Sequence, residues 1–303
     1  MLLSDFIHKG TRSLESLYPS REAHNIVLML CESLLGVQGY THIVEPETVV
    51  DPAREPELLA ALDRLSSGEP VQYVLGFADF CGFRFKVTPD VLIPRPETEQ
   101  LVREAVKEAA RLQRQRSPYG RHAAPVRVLD LCTGSGCIAW SVALSVPGTE
   151  VVAVDISEPA LAIARSQDFS RECKDLKAKA PQFLCADILD TEQSFEYGTF
   201  DLILSNPPYI LESEKVRMHR NVLEHEPYAA LFVPDADPLV FYRAIAVWSQ
   251  RLLGEEGKGM AEINETRGKE TEAVFREAGF RSTSLVKDIF ERNRFVLYSK
   301  NND

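Results

Sequence analysis

The 303-residue sequence predicts an α/β fold built on a largely parallel sheet, and three stretches carry that prediction. The first is the run VRVLDL at residues 126–131. It is followed at once by Cys132-Thr133-Gly134-Ser135-Gly136 and then by an apolar helix over residues 137–144. Strand, glycine turn and helix form the first unit of a nucleotide-binding α/β fold, with glycine where backbone must come close to a ligand. The second is a pair of apolar strands that lead into acids, Glu150–Asp155 and residues 182–186 followed by Asp187. Asp155 stands about 20 positions after the glycine turn, where an acid meets a ribose diol. Asp187 is placed to meet an adenine ring. The third is the strand Phe200–Ser205, which runs straight into Asn206-Pro207-Pro208-Tyr209. Ligands of open α/β sheets bind outside the carboxyl ends of the strands, so this loop stands where chemistry is done.

The elements follow in order from the amino terminus. Residues 2–67 carry helical periodicity and almost no strand signal, as in residues 23–31 and 57–65, and predict a small helical bundle. Residues 77–87 alternate aromatic side chains around Gly82 and predict a hairpin. A helix is expected from about Thr98 to Arg114, and residues 111–125, basic and containing glycine and proline, are expected to form an exposed loop. After the apparent fifth strand come Glu262, Asn264 and Glu265, within reach of a substrate. Residues 290–298 are expected to form a final hairpin strand. Trp140 and Trp248 fall on apolar helical faces and are assigned to the core. His219 and His225 follow the proline loop in an expected helix and are assigned packing or solvent roles. The acidic residues 45–51 are expected on the solvated surface.

The proline loop has a specific chemical meaning. Two consecutive prolines remove two backbone donors and fix two φ angles, and the residue before a proline is pushed towards extended geometry. The loop therefore presents a side-chain amide oxygen, a rigid carbonyl and an aromatic face within four residues. Such a set suits a flat NH2-bearing group, with two acceptors for its hydrogens and a ring to stack on. Holding that nitrogen aims its lone pair at an electrophile, which is positional catalysis. A glutamine amide, an adenine and a guanine amino group all meet this description.

Composition narrows the choice. Hydrophobic residues make up 45% of the chain, ample for real cores, and the length suggests about two domains. A net charge of −11 argues against a large nucleic-acid footprint, which needs a basic face. No run approaches the ~20 apolar residues of a membrane span, and no signal-peptide pattern opens the chain. The six cysteines contain no C-x-x-C pair, and Cys132 and Cys137 are read as small packing residues, so no metal is expected. A reducing cytoplasm fits best.

The motifs around residues 130–136, 155, 187 and 206–209 resemble the class I S-adenosylmethionine-dependent methyltransferases. The resemblance implies a Rossmann-like, three-layer domain with a seven-strand, mostly parallel sheet whose last strand is antiparallel. It assigns S-adenosylmethionine as cofactor to Cys132, Thr133, Gly134, Ser135, Gly136, Asp155, Asp187, Ile188 and Asn206. It assigns catalysis and substrate binding to Asn206, Pro207, Pro208 and Tyr209. Cys132 departs from the family pattern, standing where the first glycine is usual; being small, it needs only a modest shift in turn geometry. Three further segments sharpen the likeness: the one from Gly68-Glu69-Pro70-Val71-Gln72-Tyr73 to Gly76, Ile93-Pro94-Arg95-Pro96-Glu97-Thr98-Glu99, and Glu226-Pro227-x-x-Ala230-Leu231. They resemble the protein-(glutamine-N5) methyltransferases that modify peptide chain release factors, the PrmC/HemK family. That resemblance covers nearly the whole chain: a helical bundle for substrate recognition at 1–68, a hairpin linker at 69–97, and the methyltransferase domain at 98–303. It implies class 1 release factors as partners and the glutamine of their Gly-Gly-Gln loop as substrate. A glutamine in a ribosomal protein, or an adenine-N6 or guanine-N2 position in nucleic acid, is the alternative. Arg95 and Glu97 are expected either at the border of the cofactor pocket or in an interdomain salt bridge.

Overall fold

The computed structural model describes residues 1–116 and 124–302. The chain opens with helices α1 (Leu3–Leu14), α2 (Ser20–Leu35), α3 (Thr41–Val44), α4 (Glu55–Ser66) and α5 (Val71–Leu75). A hairpin of β1 (Phe77–Phe80) and β2 (Phe83–Lys86) and the long helix α6 (Thr98–Arg116) follow. Strands and helices then alternate: β3 (Arg127–Leu131), α7 (Cys137–Ser145), β4 (Glu150–Asp155), α8 (Glu158–Arg165), α9 (Ser170–Leu176), β5 (Gln182–Cys185) and β6 (Phe200–Ser205). A short-element region carries β7 (Ile210–Leu211), α10 (Arg220–His225), α11 (Tyr228–Leu231) and β8 (Phe232–Val233). The chain closes with α12 (Val240–Leu252), β9 (Leu253–Glu262), α13 (Gly268–Glu277), β10 (Ser282–Lys287) and β11 (Asn293–Ser299).

Two compact units result, Met1–Phe77 with Met218–His225, and Ala78–Arg217 with Glu226–Asp303. The first is helical because its apolar residues recur every three or four positions. Leu3, Phe6, Ile7 and Leu14 of α1, Ala23, Ile26, Val27 and Leu30 of α2, and Leu58, Leu62 and Leu65 of α4 make one buried core. Each such aliphatic or aromatic side chain contributes about 1.5–3 kcal/mol by leaving water. Gly10 lets α1 approach α2 closely: a Cβ there would lie 3.1 Å from Val27.

The second unit holds a seven-stranded sheet in the order β10-β11-β9-β6-β3-β4-β5. Strands β9, β6, β3, β4 and β5 pair in parallel, and β11 is antiparallel to both β9 and β10. Alternate residues of each strand face opposite layers. Val128, Ala153, Leu202 and Leu204 pack with α6 and α7, whereas Leu129, Leu131, Val154 and Ile203 pack with α12 and α13. Helix α7 is buried from Cys137 to Leu144, which explains its unbroken apolar sequence. Strand β3 lies between β4 and β6, so the winding reverses there and opens a crevice at the carboxyl edge.

The class, sheet and antiparallel last strand match expectation, two boundaries differ, and two local features are added. Helix α6 runs through Arg116, just past its expected end near Arg114, so the first residues of the expected loop are helix; of the rest, 117–123 lie outside the described residues and 124–125 have no regular structure. Helical spacing continues through Leu112, whose side chain is buried, and holds the last turn. The final strand begins at Asn293, and Phe290 sits exposed in the preceding turn. Residues 71–75, which carry no obvious periodicity, form a single helical turn closed by Gly76 at φ 79°. The hairpin turns through Cys81 and Gly82 at φ 51° and 79°, both left-handed, the geometry that suits the twist of two adjacent strands.

Candidate active site

A cleft of about 1000 Å³, open solvent at its mouth included, lies at the carboxyl edge of the sheet in the second unit. Its floor is the turn after β3. Gly134 has φ 54° and a Cβ added there would meet nothing within 4 Å, so the backbone itself faces open space. Cys132 occupies the left-handed region at φ 61°. It adopts the backbone a glycine would take, so the substitution is absorbed as local strain. Thr133, whose hydroxyl donates to the Asp130 carboxylate at 2.6 Å, and Ser135 complete this wall.

Asp155, at the end of β4, and Asp187, after β5, also line the cleft, Asp155 directly beside the turn. Asp155 Oδ2 accepts from the Gly134 amide at 2.8 Å and Oδ1 from the Ser157 amide at 3.0 Å. Burial pushes its carboxyl above the ordinary range, and those two amides pull against it. Asp187 Oδ1 accepts from the Leu189 amide at 2.9 Å. Ile188 is buried beside it, and its carbonyl accepts from the Trp248 indole at 3.0 Å. Asp130 is fully buried behind the turn, and its carboxyl is pushed up to about 7 by desolvation, against the Thr133 hydroxyl. Burial also raises the Cys132 thiol well above its usual range and Cys137 to about 12, so neither is a thiolate near neutral pH.

Asn206 and Pro208 form the end of the cleft. The Asn206 amide nitrogen donates to Thr98 Oγ1 at 3.1 Å, and the Thr98 hydroxyl donates to Glu262 Oε2 at 2.7 Å. Tyr209 donates its hydroxyl to Glu262 Oε1 at 2.9 Å, and Asn264 donates to the Tyr209 carbonyl at 3.2 Å and to Glu214 at 3.1 Å. Thr98 and Glu262 are each 1% exposed. Burial raises the Glu262 carboxyl, opposed by the hydroxyls of Thr98 and Tyr209. It also carries Tyr209 well above the usual phenol range, reinforced by the Glu262 charge.

Comparison with known proteins places this arrangement. Residues 5–76 match the PrmC N-terminal domain and residues 122–234 a methyltransferase domain. The chain is 39% identical over 289 residues to a release factor glutamine methyltransferase of Bacteroides thetaiotaomicron, covering 95% of this chain and 97% of the relative. It is 35% identical over 296 residues to one of Flavobacterium psychrophilum, covering 98% of each. The chain belongs to the release factor glutamine methyltransferases.

Within that family's expected site residues, the cleft gathers Cys132, Thr133, Gly134, Ser135, Asp155, Asp187, Ile188, Asn206 and Pro208. Gly136, Pro207 and Tyr209 are not part of its lining. Gly136 starts α7 at φ 78°, and a Cβ there would sit 3.1 Å from Ala164 and the Phe183 ring, so its task is close helix packing. Pro207 is buried, and Tyr209 packs along the second core layer with its hydroxyl on Glu262. His219 and His225 stay out of the cleft and belong to the helical unit. Trp140 and Trp248 are core residues, and each indole N–H donates to a carbonyl, Ala164 and Ile188 respectively. Residues 45–47, 49 and 51 are exposed as expected. Among the described residues no cluster of acids, histidines and cysteines could hold a metal, and no helix is long and apolar enough to cross a membrane.

The methyltransferase motifs that had no role in the sequence acquire one. Arg95 Nη2 donates to Glu226 Oε1 at 2.5 Å, and the Ile93 amide donates to Glu226 Oε2 at 3.2 Å. Both partners lie in the second unit, so the ion pair is not interdomain; Arg95 does border the cleft and exposed Glu97 does not. Arg95 keeps about a third of its side chain in water while Glu226 is buried, so losing Arg95 leaves a buried carboxylate held by the Ile93 amide, at a cost below the roughly 3–5 kcal/mol of a fully buried pair. The pair therefore ties the segment 90–98, one wall of the cleft, to the start of α11. Thr98 was visible only as part of that segment. Glu262 was noticed for its position after a strand, but nothing in the sequence indicated that it would be buried against two hydroxyls.

Proposed function

We propose that this chain transfers the methyl group of S-adenosylmethionine to the side-chain nitrogen of the glutamine in the Gly-Gly-Gln loop of class 1 release factors, giving N5-methylglutamine, S-adenosylhomocysteine and a proton. The observation that carries the proposal is the Asn206 amide. Its nitrogen is spent on Thr98, which leaves Oδ1 as an acceptor at the end of a cleft lined by a glycine turn and two strand-end acids.

The cleft suits the cofactor: open backbone at Gly134, Asp155 for a ribose diol, and Asp187 with Ile188 for an adenine edge and face. When bound, S-adenosylmethionine supplies an electrophilic methyl on a sulfonium. The rest of the chemistry belongs to the chain. A carboxamide nitrogen is a poor nucleophile because its lone pair is delocalised. Asn206 Oδ1, in the cleft lining, accepts one of its N–H groups, and the carbonyl of Pro207, a residue buried just behind that lining, is the proposed acceptor of the other, while Tyr209 restricts the loop. Preorganised acceptors replace a strong base, since the nitrogen becomes acidic once methylated. The helical unit is assigned to recognition of the protein substrate; it carries exposed Tyr40, Ile43, Val44 and Val49 beside acidic Glu45 and Glu47.

The test is transfer from labelled S-adenosylmethionine to a purified class 1 release factor and to its Gln→Ala variant. Label on the wild type alone supports the proposal. Label absent from both, with a ribosomal protein or nucleic acid modified in their place, rejects it.

A further inference from the structure

The hydrogen-bond chain behind Asn206 determines which way its amide faces. An ionised carboxylate only accepts, and Glu262 receives one proton on each oxygen, from Thr98 at 2.7 Å and from Tyr209 at 2.9 Å. A hydroxyl has a single proton. The Thr98 proton is committed to Glu262, so the Thr98 oxygen can only accept at its other contact. The atom of Asn206 that lies 3.1 Å from it must therefore be the nitrogen. The reversed amide would set an acceptor against an acceptor at Thr98 and point N–H groups into the cleft.

We infer that Thr98 and Glu262 are positioning residues for methyl transfer: through the chain Glu262–Thr98–Asn206 they lock the Asn206 amide with its oxygen towards the substrate nitrogen. The inference rests on Asn206 being the acceptor for the substrate amide. It adds that this role is imposed by two buried residues that contribute no acceptor to the substrate themselves. Both sit far from Asn206 in sequence, Thr98 at the start of α6 and Glu262 at the end of β9. Tyr209 hangs on the same carboxylate, so a single buried charge orders both ends of the tetrapeptide.

Three variants test that positioning role. Thr98→Val keeps the shape and removes the hydroxyl. Thr98→Ser restores the hydroxyl. Glu262→Gln keeps the shape but replaces one acceptor oxygen with an NH2; with that group towards Thr98 it donates to the Thr98 oxygen, which frees the Thr98 proton for Asn206 Oδ1 and lets the amide turn round. At saturating cofactor, kcat should fall roughly 10- to 100-fold in Thr98→Val and Glu262→Gln, the scale of a misplaced catalytic contact. Cofactor Kd should stay near wild type, melting temperature should drop by a few degrees for the lost buried hydrogen bond, and Thr98→Ser should recover most of both the rate and the melting temperature. Independently of turnover, the side-chain NH2 signals of Asn206 in 15N-labelled protein should lose their hydrogen-bonded shift in Thr98→Val. Wild-type kcat in both Thr98→Val and Glu262→Gln, or an unmoved Asn206 signal, overturns the inference. If wild-type protein fails to methylate release factor, the functional reading falls, and the NMR comparison still decides the relay.

Discussion

Cys132 is held at φ 61°, where a side chain with a Cβ costs about 1–2 kcal/mol and glycine costs nothing. That strain can be isolated by comparing Cys132→Gly with Cys132→Ala. Both lose the half-buried sulfur, worth on the order of 1 kcal/mol of burial. Alanine retains the left-handed penalty. Glycine removes it but has a more flexible unfolded chain to order, which costs about 0.5–1 kcal/mol. The glycine variant should therefore be more stable than the alanine variant by up to about 1 kcal/mol. In a unit of this size that is a difference of about 2–4 °C in melting temperature. Differential scanning fluorimetry and calorimetry of the two variants at one pH and salt concentration make the comparison, in which the shared loss of the sulfur cancels. At a position with negative φ the order is reversed, with alanine ahead. Finding alanine ahead here would show that the turn relaxes out of the left-handed region and that Cys132 is not strained.

Three further outcomes follow from the site. Asp155→Ala should weaken cofactor binding by about 1.5–3 kcal/mol, the value of a hydrogen bond to a charged group; calorimetric titration giving an unchanged Kd would remove its ribose role. Asp130 binds its proton more tightly in the folded protein, at about 7 against an ordinary 3.8, so the stability it contributes is full below pH 4 and lost as pH rises through 7. Asp130→Asn should thus be more stable than wild type at pH 8, by at most about 4 kcal/mol, with the gain vanishing near pH 4. A pH-independent difference in melting temperature would contradict this. Trp248→Phe removes the donor to the Ile188 carbonyl and should cost about 1–3 kcal/mol while raising cofactor Kd. An unchanged Kd would show that the indole does not set the position of Ile188.

The parts of this molecule that were legible in the sequence are those governed by local rules. Strand runs such as Glu150–Asp155 and Phe200–Ser205 coincide with the observed strands because they are buried on both faces and bounded by turn residues. Asp155, Asp187 and Asn206 converge on one cleft because strand ends in a parallel sheet share an edge. What escaped depends on contacts between distant residues. Glu226 and Arg95 are 131 positions apart and Thr98 and Glu262 are 164 apart, and no periodicity links them. The packing of Phe183 and Ala164 over Gly136 is invisible in the sequence for the same reason. That the Tyr209 hydroxyl would rest on a buried carboxylate was likewise not legible, because Glu262 lies 53 positions away.

The amide of Asn206 is where fold, cleft and chemistry meet, and its replacement is the most direct measurement. Wild-type protein and Asn206→Ala are compared in methyl transfer to class 1 release factor at saturating S-adenosylmethionine, with fragment-ion mass spectrometry locating the added methyl. A methyl on the glutamine side chain in wild type, with kcat lower by about 10²–10³ in the variant and cofactor Kd unchanged, is the predicted result. A variant that turns over at the wild-type rate, or a methyl found on another residue, would contradict it.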